Sequence, residues 1–297
     1  MTPGATSATS RSSPPLLRAV RPKQWVKNLL VLAVPLASGQ IGDPGVLGGA
    51  LLAGLAFCLL SSAVYLVNDS VDVEADRLHP RKRERPIAAG EVSVPTARVV
   101  AALLVVVGLA LGSLGGAQLL AVLIGYLVLQ LGYSLGLKHE PVLDLLLVTS
   151  GFVLRAVAGG AASDIYVSQW FLLVAGFGSL FIVSGKRYSE LHTLGPDSGT
   201  RQALVRYSAT YLRFVWGVAA GATLLSFSLW AFENPSDGTL PWATISIAPF
   251  VAGVLRYAVD IDAGTAAEPE DIIWADRVLQ AIGAVWLLVV LLGVLGV

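Results

Sequence analysis

Residues 48–76 read GGALLAGLAFCLLSSAVYLVNDSVDVEAD, and this stretch decides what kind of protein the chain makes. From Gly48 to Val67 there is no charged side chain. That is the ~20-residue apolar length a helix needs to cross a hydrocarbon layer, where only a helix or a closed barrel satisfies its own backbone. The run then stops abruptly in Asn68-Asp69-Ser70-Val71-Asp72-Val73-Glu74-Ala75-Asp76. An uncharged segment that ends in a burst of acids reads as a membrane helix emerging into water. Cys58, the single cysteine, lies inside the apolar run. It excludes a disulfide framework and reads as a small core hydrophobe.

Working outward, the whole chain shares that character. Charged residues make up 13% of the 297, against roughly 25% in an ordinary soluble domain. With too little charge for a polar shell, lipid is the expected solvent. Apolar windows of spanning type fall at 25–40, 48–70, 97–115, 118–136, 143–163, 168–186, 212–232, 242–259 and 278–297,. The expected fold is therefore an all-α polytopic membrane bundle of nine transmembrane helices. The first window is short and holds Pro35, which suggests a tilted or partly re-entrant segment. Residues 1–15 are rich in Ser, Thr, Pro and Gly and read as a disordered tail. Residues 16–297 read as one membrane-embedded domain without a cleaved signal.

Orientation follows from the basic residues. If the nine spans alternate, 19 of the 20 Lys and Arg side chains fall on one side, and the opposite loops hold only acids: Asp43, Asp164, Glu233 and Asp237. The N-terminus is then cytoplasmic and the C-terminus outside. The twentieth, Arg155, sits in the middle of the fifth window. Such a charge normally faces a bundle interior or a polar cavity. Asp144 lies three turns earlier on nearly the same face. Bonding to a neighbouring helix and lining a polar pocket are both open to Arg155.

The acidic stretch carries the chemistry. If the helix continues past the membrane edge, Tyr65, Asn68, Asp69, Asp72 and Asp76 share a stripe about 100° wide, with Glu74 on the far side. Stacked carboxylates with no cation interleaved in the sequence repel one another, and a divalent cation resolves that conflict. An all-oxygen set suits Mg²⁺, which keeps waters and bridges carboxylates to phosphates. Asn68, Asp72, Asp69 and Asp76 are thus the expected metal ligands and the catalytic set. Arg77, Arg81, Lys82, Arg83 and Arg85 follow at once, and basic groups beside such a site suit a diphosphate or a phosphorylated sugar. On its own, the basic run is equally explained by membrane orientation or anionic lipid.

These residues carry a resemblance. N-D-x-x-D-x-x-x-D at the end of the second span, then Arg85-Pro86-Ile87-Ala88-Ala89-Gly90, resembles the UbiA-type membrane prenyltransferase superfamily. Three further pieces are similar to its branch that moves phosphoribosyl groups onto polyprenyl phosphates for cell-wall arabinan precursors in actinobacteria. They are Arg21-Pro22-Lys23-Gln24-Trp25-Val26-Lys27-Asn28, Tyr133-Ser134 with Leu137-Lys138, and Gly185-Lys186-Arg187-Tyr188-Ser189-Glu190-Leu191. Typical members of the superfamily carry a second aspartate pair after the sixth span. Here that place holds Lys186, Arg187 and Tyr188, with Glu190 the only acid nearby.

The resemblance therefore implies one half-site for a metal-chelated diphosphate and another for phosphate monoesters. The implied donor is phosphoribosyl pyrophosphate, and the implied acceptor is a polyprenyl (decaprenyl) phosphate in a bacterial inner membrane. Lys82, Arg83 and Arg85 are candidates for the leaving group or the C5 phosphate. Lys138, Lys186, Arg187 and Tyr188 are candidates for the ribosyl or acceptor phosphate. Lys23 and Lys27 flank Trp25 and could guide the lipid head group, with snorkelling anchors as the plain alternative. Tyr65 and Tyr133 are expected to line the site or simply to pack. Membrane lipids are expected partners, nucleic acid is not, and the small residues from Gly151 to Gly160 leave a homo-oligomer open. The competing readings are prenyl transfer to an aromatic acceptor and, outside enzymes, a transporter. A transporter site tends to lie near the midplane on broken helices, whereas these acids lie at the edge.

Overall fold

The computed structural model describes residues 13–80, 82–194, 206–233 and 240–295. Among them every regular element is helical. Most of the expected N-terminal tail, together with Arg81 and Arg201, lies outside the described residues. Of the tail's last residues, Pro15 opens a short helix, Pro15–Ala19.

Among the described residues, eight helices are long and apolar enough to cross a membrane. They are α1 (Pro44–Val71), α2 (Val94–Leu114), α3 (Gly116–Leu135), α4 (Leu143–Ser163), α5 (Gln169–Leu194), α6 (Ala209–Glu233), α7 (Ile247–Asp262, preceded by the turn Trp242–Ile245) and α8 (Arg277–Leu295). Local chemistry sets their starts. Asp43 caps α1 by accepting from the amides of Gly45 and Val46, and Pro44 takes the first position, where no amide is needed,. Ser93 does the same for α2 through the Thr96 amide.

The first expected span takes a different form. Pro22–Leu32 is a 3-10 helix, continued by one α-helical stretch, Ala33–Ala37, that contains Pro35. A hydropathy window reports apolar length but not helix type. At ~2.0 Å per 3-10 residue and ~1.5 Å per α residue, this lead segment extends about 30 Å, close to a hydrocarbon thickness. It is narrower than an α-helix and sits tightly on α4. A Cβ at Gly159 would lie 1.8 Å from the Val31 carbonyl oxygen. Likewise α1 meets the same end of α4 at Gly49, where a Cβ would lie 2.3 Å from the carbonyl oxygen of Ala162.

Three buried clusters hold the bundle. One joins the lead segment, α1, α3 and α4 through Val31, Phe57, Leu60, Leu123, Tyr126 and Ala158. A second, with Ala63, Leu66, Ile87, Val92 and Ala101, closes the end where α1 finishes. A third joins α4 to α5, α6 and α7 through Leu145, Phe181, Tyr188, Leu212 and Ile261. Helix α4 thus belongs to both halves. Its own substitutions should reveal this. Gly159→Ala is expected to lower stability in detergent by about 1–3 kcal/mol, because backbone must shift to admit the methyl group. Gly48→Ala, where nothing lies within 4 Å of the new carbon, should leave the thermal midpoint unchanged.

Arg155 reinforces the same contact. Its Nε donates to Asn28 Oδ1 at 2.7 Å, Nη1 to the Gly151 carbonyl at 2.6 Å and Nη2 to the Tyr126 hydroxyl at 3.2 Å. The rings of Tyr126, Phe57 and Phe152 surround its guanidinium at 5.1, 5.5 and 5.9 Å. Asn28 in turn donates to Cys58 Sγ and Ser61 Oγ. The intramembrane cation therefore ties the lead segment to α4, and Asp144, on its own helix face, is taken by another partner.

Candidate active site

Helix α1 ends at Val71. Asp72 caps it, and a short helix, Val73–Leu78, follows, with the Asp72 amide bonded to the Asn68 carbonyl at 2.9 Å and the Asp76 amide to the Asp72 carbonyl at 2.8 Å. The helical phase therefore persists, as the stripe requires, and Glu74 points outward to pair with Arg77 at 2.8 Å. The acids do not form one uninterrupted set, however. Arg85 Nη1 reaches Asp69 Oδ1 at 3.0 Å and Asp76 Oδ2 at 2.6 Å. Arg21 Nη2 grips both oxygens of Asp69, at 2.7 and 2.6 Å. Asp69 and Asp76 are buried, and burial pushes the Asp76 carboxyl above its ordinary value while Arg85 pulls it back,. These two acids serve as counter-ions that anchor arginines.

The other two groups of the stripe converge on a single cation. Lys138 Nζ lies 2.6 Å from each oxygen of Asp72 and 3.2 Å from Asn68 Oδ1. Lys138 arrives from the turn Leu137–His139, redirected by Gly136 at φ 153. Among the described residues no three His, Cys, Asp or Glu side chains gather to hold a metal. What the structure does gather is three hard oxygens, from Asn68 and Asp72, around one positive charge.

Arg21 was not among the residues expected here. It adopts φ 55 and ψ 58 immediately before Pro22, a left-handed conformation that few side chains tolerate. Its guanidinium also lies over the Tyr65 ring at 4.8 Å. The Trp25 indole donates to Ser62 Oγ at 3.0 Å, and Ser62 donates to the Val20 carbonyl at 2.8 Å, which fixes the segment carrying Arg21. Lys23 is exposed and Lys27 half-buried on either side of Trp25. On the short turn Lys82–Glu84, Lys82 is half-buried and Arg83 exposed.

The second half departs from expectation. Lys186, Arg187 and Tyr188 do not face one pocket, since consecutive helical residues point about 100° apart. Arg187 turns inward and is buried. Its Nε and Nη2 reach Asp144 at 2.8 and 3.2 Å, and its Nη1 reaches Glu190 at 3.1 Å. The Tyr133 hydroxyl donates to the same Asp144 carboxylate at 3.2 Å. Lys186 leaves toward Glu268, at 3.0 Å. Tyr188 is buried in the α5–α6 core, where its hydroxyl accepts from Arg213 at 2.7 Å. In the expected bare-anion half Arg187 is thus already held by Asp144 and Glu190, with Lys186 3.9 Å from Glu190, because a buried guanidinium requires paired acids.

Residues 138–144 connect the two halves, with Lys138 on Asp72 at one end and Asp144 on Arg187 at the other. Two clefts of about 350 and 340 Å³ share Gln118, Ala161 and Asp164 at the opposite end of the bundle. None of the candidate residues lines them.

Residues 29–275 match the model of the UbiA prenyltransferase family. The chain is 47% identical over 287 residues to a decaprenyl-phosphate phosphoribosyltransferase of Corynebacterium glutamicum, covering 94% of this chain and 86% of that one. It is 50% identical over 279 residues to the protein of the same name in Mycobacterium tuberculosis, covering 92% and 91%. In fold, a UbiA homolog from Archaeoglobus fulgidus bound to GPP and Mg²⁺ superposes with a TM-score of 0.74 at 19% identity, over 95% of this chain and 99% of that one.

Proposed function

The chain belongs to the UbiA prenyltransferase family, and we propose that it transfers a 5-phosphoribosyl group from phosphoribosyl pyrophosphate to a polyprenyl phosphate such as decaprenyl phosphate. Diphosphate is released, and the product serves cell-wall arabinan precursor synthesis. The observation that carries this reading is the 47–50% identity, over more than nine-tenths of the chain, to proteins named decaprenyl-phosphate phosphoribosyltransferase. Both partners are anionic, and the basic groups at this end of the bundle suit them.

The residues at the end of α1 fit a magnesium ion. Asn68 Oδ1 and both Asp72 oxygens already converge on the Lys138 ammonium, and an all-oxygen donor set is the set Mg²⁺ prefers. Asn68 and Asp72 would hold it, with Asp69 and Asp76 fixing the arginines beside them. When bound, the ion supplies positive charge to a departing diphosphate. Asp69, Asp72 and Asp76 are balanced by Arg21, Arg85 and Lys138, so this half has no excess of negative charge to repel the donor.

The chain's own part is positioning and charge. The acceptor's phosphate oxygen attacks C1 of the ribose as the bond from C1 to the diphosphate oxygen breaks, inverting C1. A phosphate monoester is already anionic near neutral pH, so no strong base is required. Lys138 is the cation closest to the leaving group, and Lys82 and Arg83 lie on the adjoining turn for the C5 phosphate. Arg187 and Tyr133 hold Asp144 and shape the floor of the second half. Lys23 and Lys27 beside Trp25 meet the acceptor's head group. The work is orientation and electrostatic stabilisation.

In this reading the lead segment is the first of nine spans and the N-terminus is cytoplasmic. The C-terminus is outside, and the site opens to the cytoplasm of a bacterial inner membrane. Purified protein given Mg²⁺, a polyprenyl phosphate and phosphoribosyl pyrophosphate labelled in the ribose should carry label into the lipid extract. EDTA should reduce that transfer to background and added Mg²⁺ restore it. Label that stays in the aqueous phase under all conditions contradicts the reading.

A further inference from the structure

Val142 is a β-branched residue at φ 69 and ψ −51, and the Leu143 amide donates to the Pro141 carbonyl at 2.8 Å. That is a γ-turn of the strained hand. A β-branched side chain holds such a conformation only where its surroundings impose it. Here the imposing group is visible. The Val142 amide donates to the Tyr207 phenol oxygen at 2.8 Å, across 65 residues of sequence.

Tyr207 is buried and lies just before α6, its ring stacked on Tyr211 at 5.8 Å and 8°. Burial pushes its hydroxyl up to about 12, so it remains a neutral phenol near pH 7. The preceding residue, Arg206, pairs with Glu140 at 3.0 Å. Residues 206 and 207 thus grip residues 140 and 142 from the outside. The gripped stretch is the one whose ends serve the two half-sites, Lys138 at Asp72 and Asn68, Asp144 at Arg187 and Tyr133.

We propose that Tyr207 is a positioning residue for the transfer reaction: its phenol holds the strained turn at Val142 and so fixes the separation between Lys138 and Asp144. Tyr207 touches neither substrate. It acts by keeping a short bridge at one length while that bridge reaches into both halves. The proposal rests on the phosphoribosyl-transfer reading for its activity readout, and its structural readout is independent of it.

The test compares Tyr207→Phe alone with Tyr207→Phe combined with either Val142→Gly or Val142→Ala. Tyr207→Phe keeps the ring and loses the grip, and kcat should fall roughly tenfold, since small misplacements near a reacting centre are amplified. Glycine adopts φ 69 without strain and alanine does not. The combination with Val142→Gly should therefore recover most of the lost rate, and the one with Val142→Ala should not, although both remove the valine methyl groups. Hydrogen exchange across residues 138–144 should also rise in Tyr207→Phe. Wild-type kcat in Tyr207→Phe, or equal behaviour of the glycine and alanine combinations, overturns the proposal. If the wild-type protein moves no label, the transfer reading fails by itself. The grip is then judged on exchange, where an unchanged segment 138–144 overturns it.

Discussion

Replacing Asp72 with alanine lowers kcat/KM for the transfer by on the order of a thousandfold, at the upper end of what losing one charge-stabilising group produces, while the protein stays folded in the membrane. Both halves of that expectation come from the geometry. Asp72 and Asn68 supply the three oxygens that converge on one positive charge, so the loss removes two of them. The Asp72 side chain is 26% exposed and Lys138 is its partner, so no deeply buried arginine is orphaned. Initial rates and thermal midpoints in detergent check the two halves separately. Asp69→Ala should behave differently. Asp69 is 3% exposed and carries contacts from both Arg21 and Arg85, and its loss should lower stability together with activity.

The largest effect on stability should come from the second half. Asp144 and Arg187 are 1% and 3% exposed and bonded through two guanidinium nitrogens. Asp144→Leu leaves a buried guanidinium held by Glu190 alone. Breaking such a pair by removing one member destabilises by about 3–5 kcal/mol. Replacing both residues with leucine should recover most of that loss, because the buried guanidinium is gone and the Glu190 carboxylate, 16% exposed, keeps Lys186 at 3.9 Å. Activity should not return, since the end of the 138–144 bridge then has nothing to bind. Chemical unfolding of the purified protein, read beside the transfer rate, checks both outcomes. A double variant no more stable than Asp144→Leu contradicts this account of the cluster.

Much of the architecture was legible because membrane insertion writes itself into composition. The uncharged run from Gly48 to Val67 and the acids that end it gave α1 and its polar end. The helical phase of Asn68, Asp72 and Asp76, with Glu74 opposite, survived into the structure because helical backbone bonds run from Asn68 to Asp72 and from Asp72 to Asp76. The partners of those acids were not legible. Arg21 is 48 residues from Asp69, and Lys138 is 66 from Asp72; one sequence holds no signal for such distances. Arg21 did leave a trace in its position before Pro22, a place where the backbone is already restricted.

The Lys186-Arg187-Tyr188 motif is the opposite case, for helical phase alone says three successive side chains cannot share a pocket. The pairing of Asp144 was decided by α5, which delivers Arg187 where a reading along α4 saw only Arg155. The lead segment escaped recognition as a 3-10 helix because apolar length carries no information about helix type.

The central claim is that ribose phosphate moves to a lipid phosphate while diphosphate leaves. The most direct measurement extends the transfer assay with a donor labelled both in the ribose and in the terminal phosphate of its diphosphate. With Mg²⁺ and decaprenyl phosphate, the ribose label should enter the lipid fraction as an equal amount of the phosphate label appears as free diphosphate in water. A polyprenyl diphosphate offered with an aromatic acceptor should yield no product. Prenyl transfer to that acceptor, with the ribose label left in water, would contradict the account.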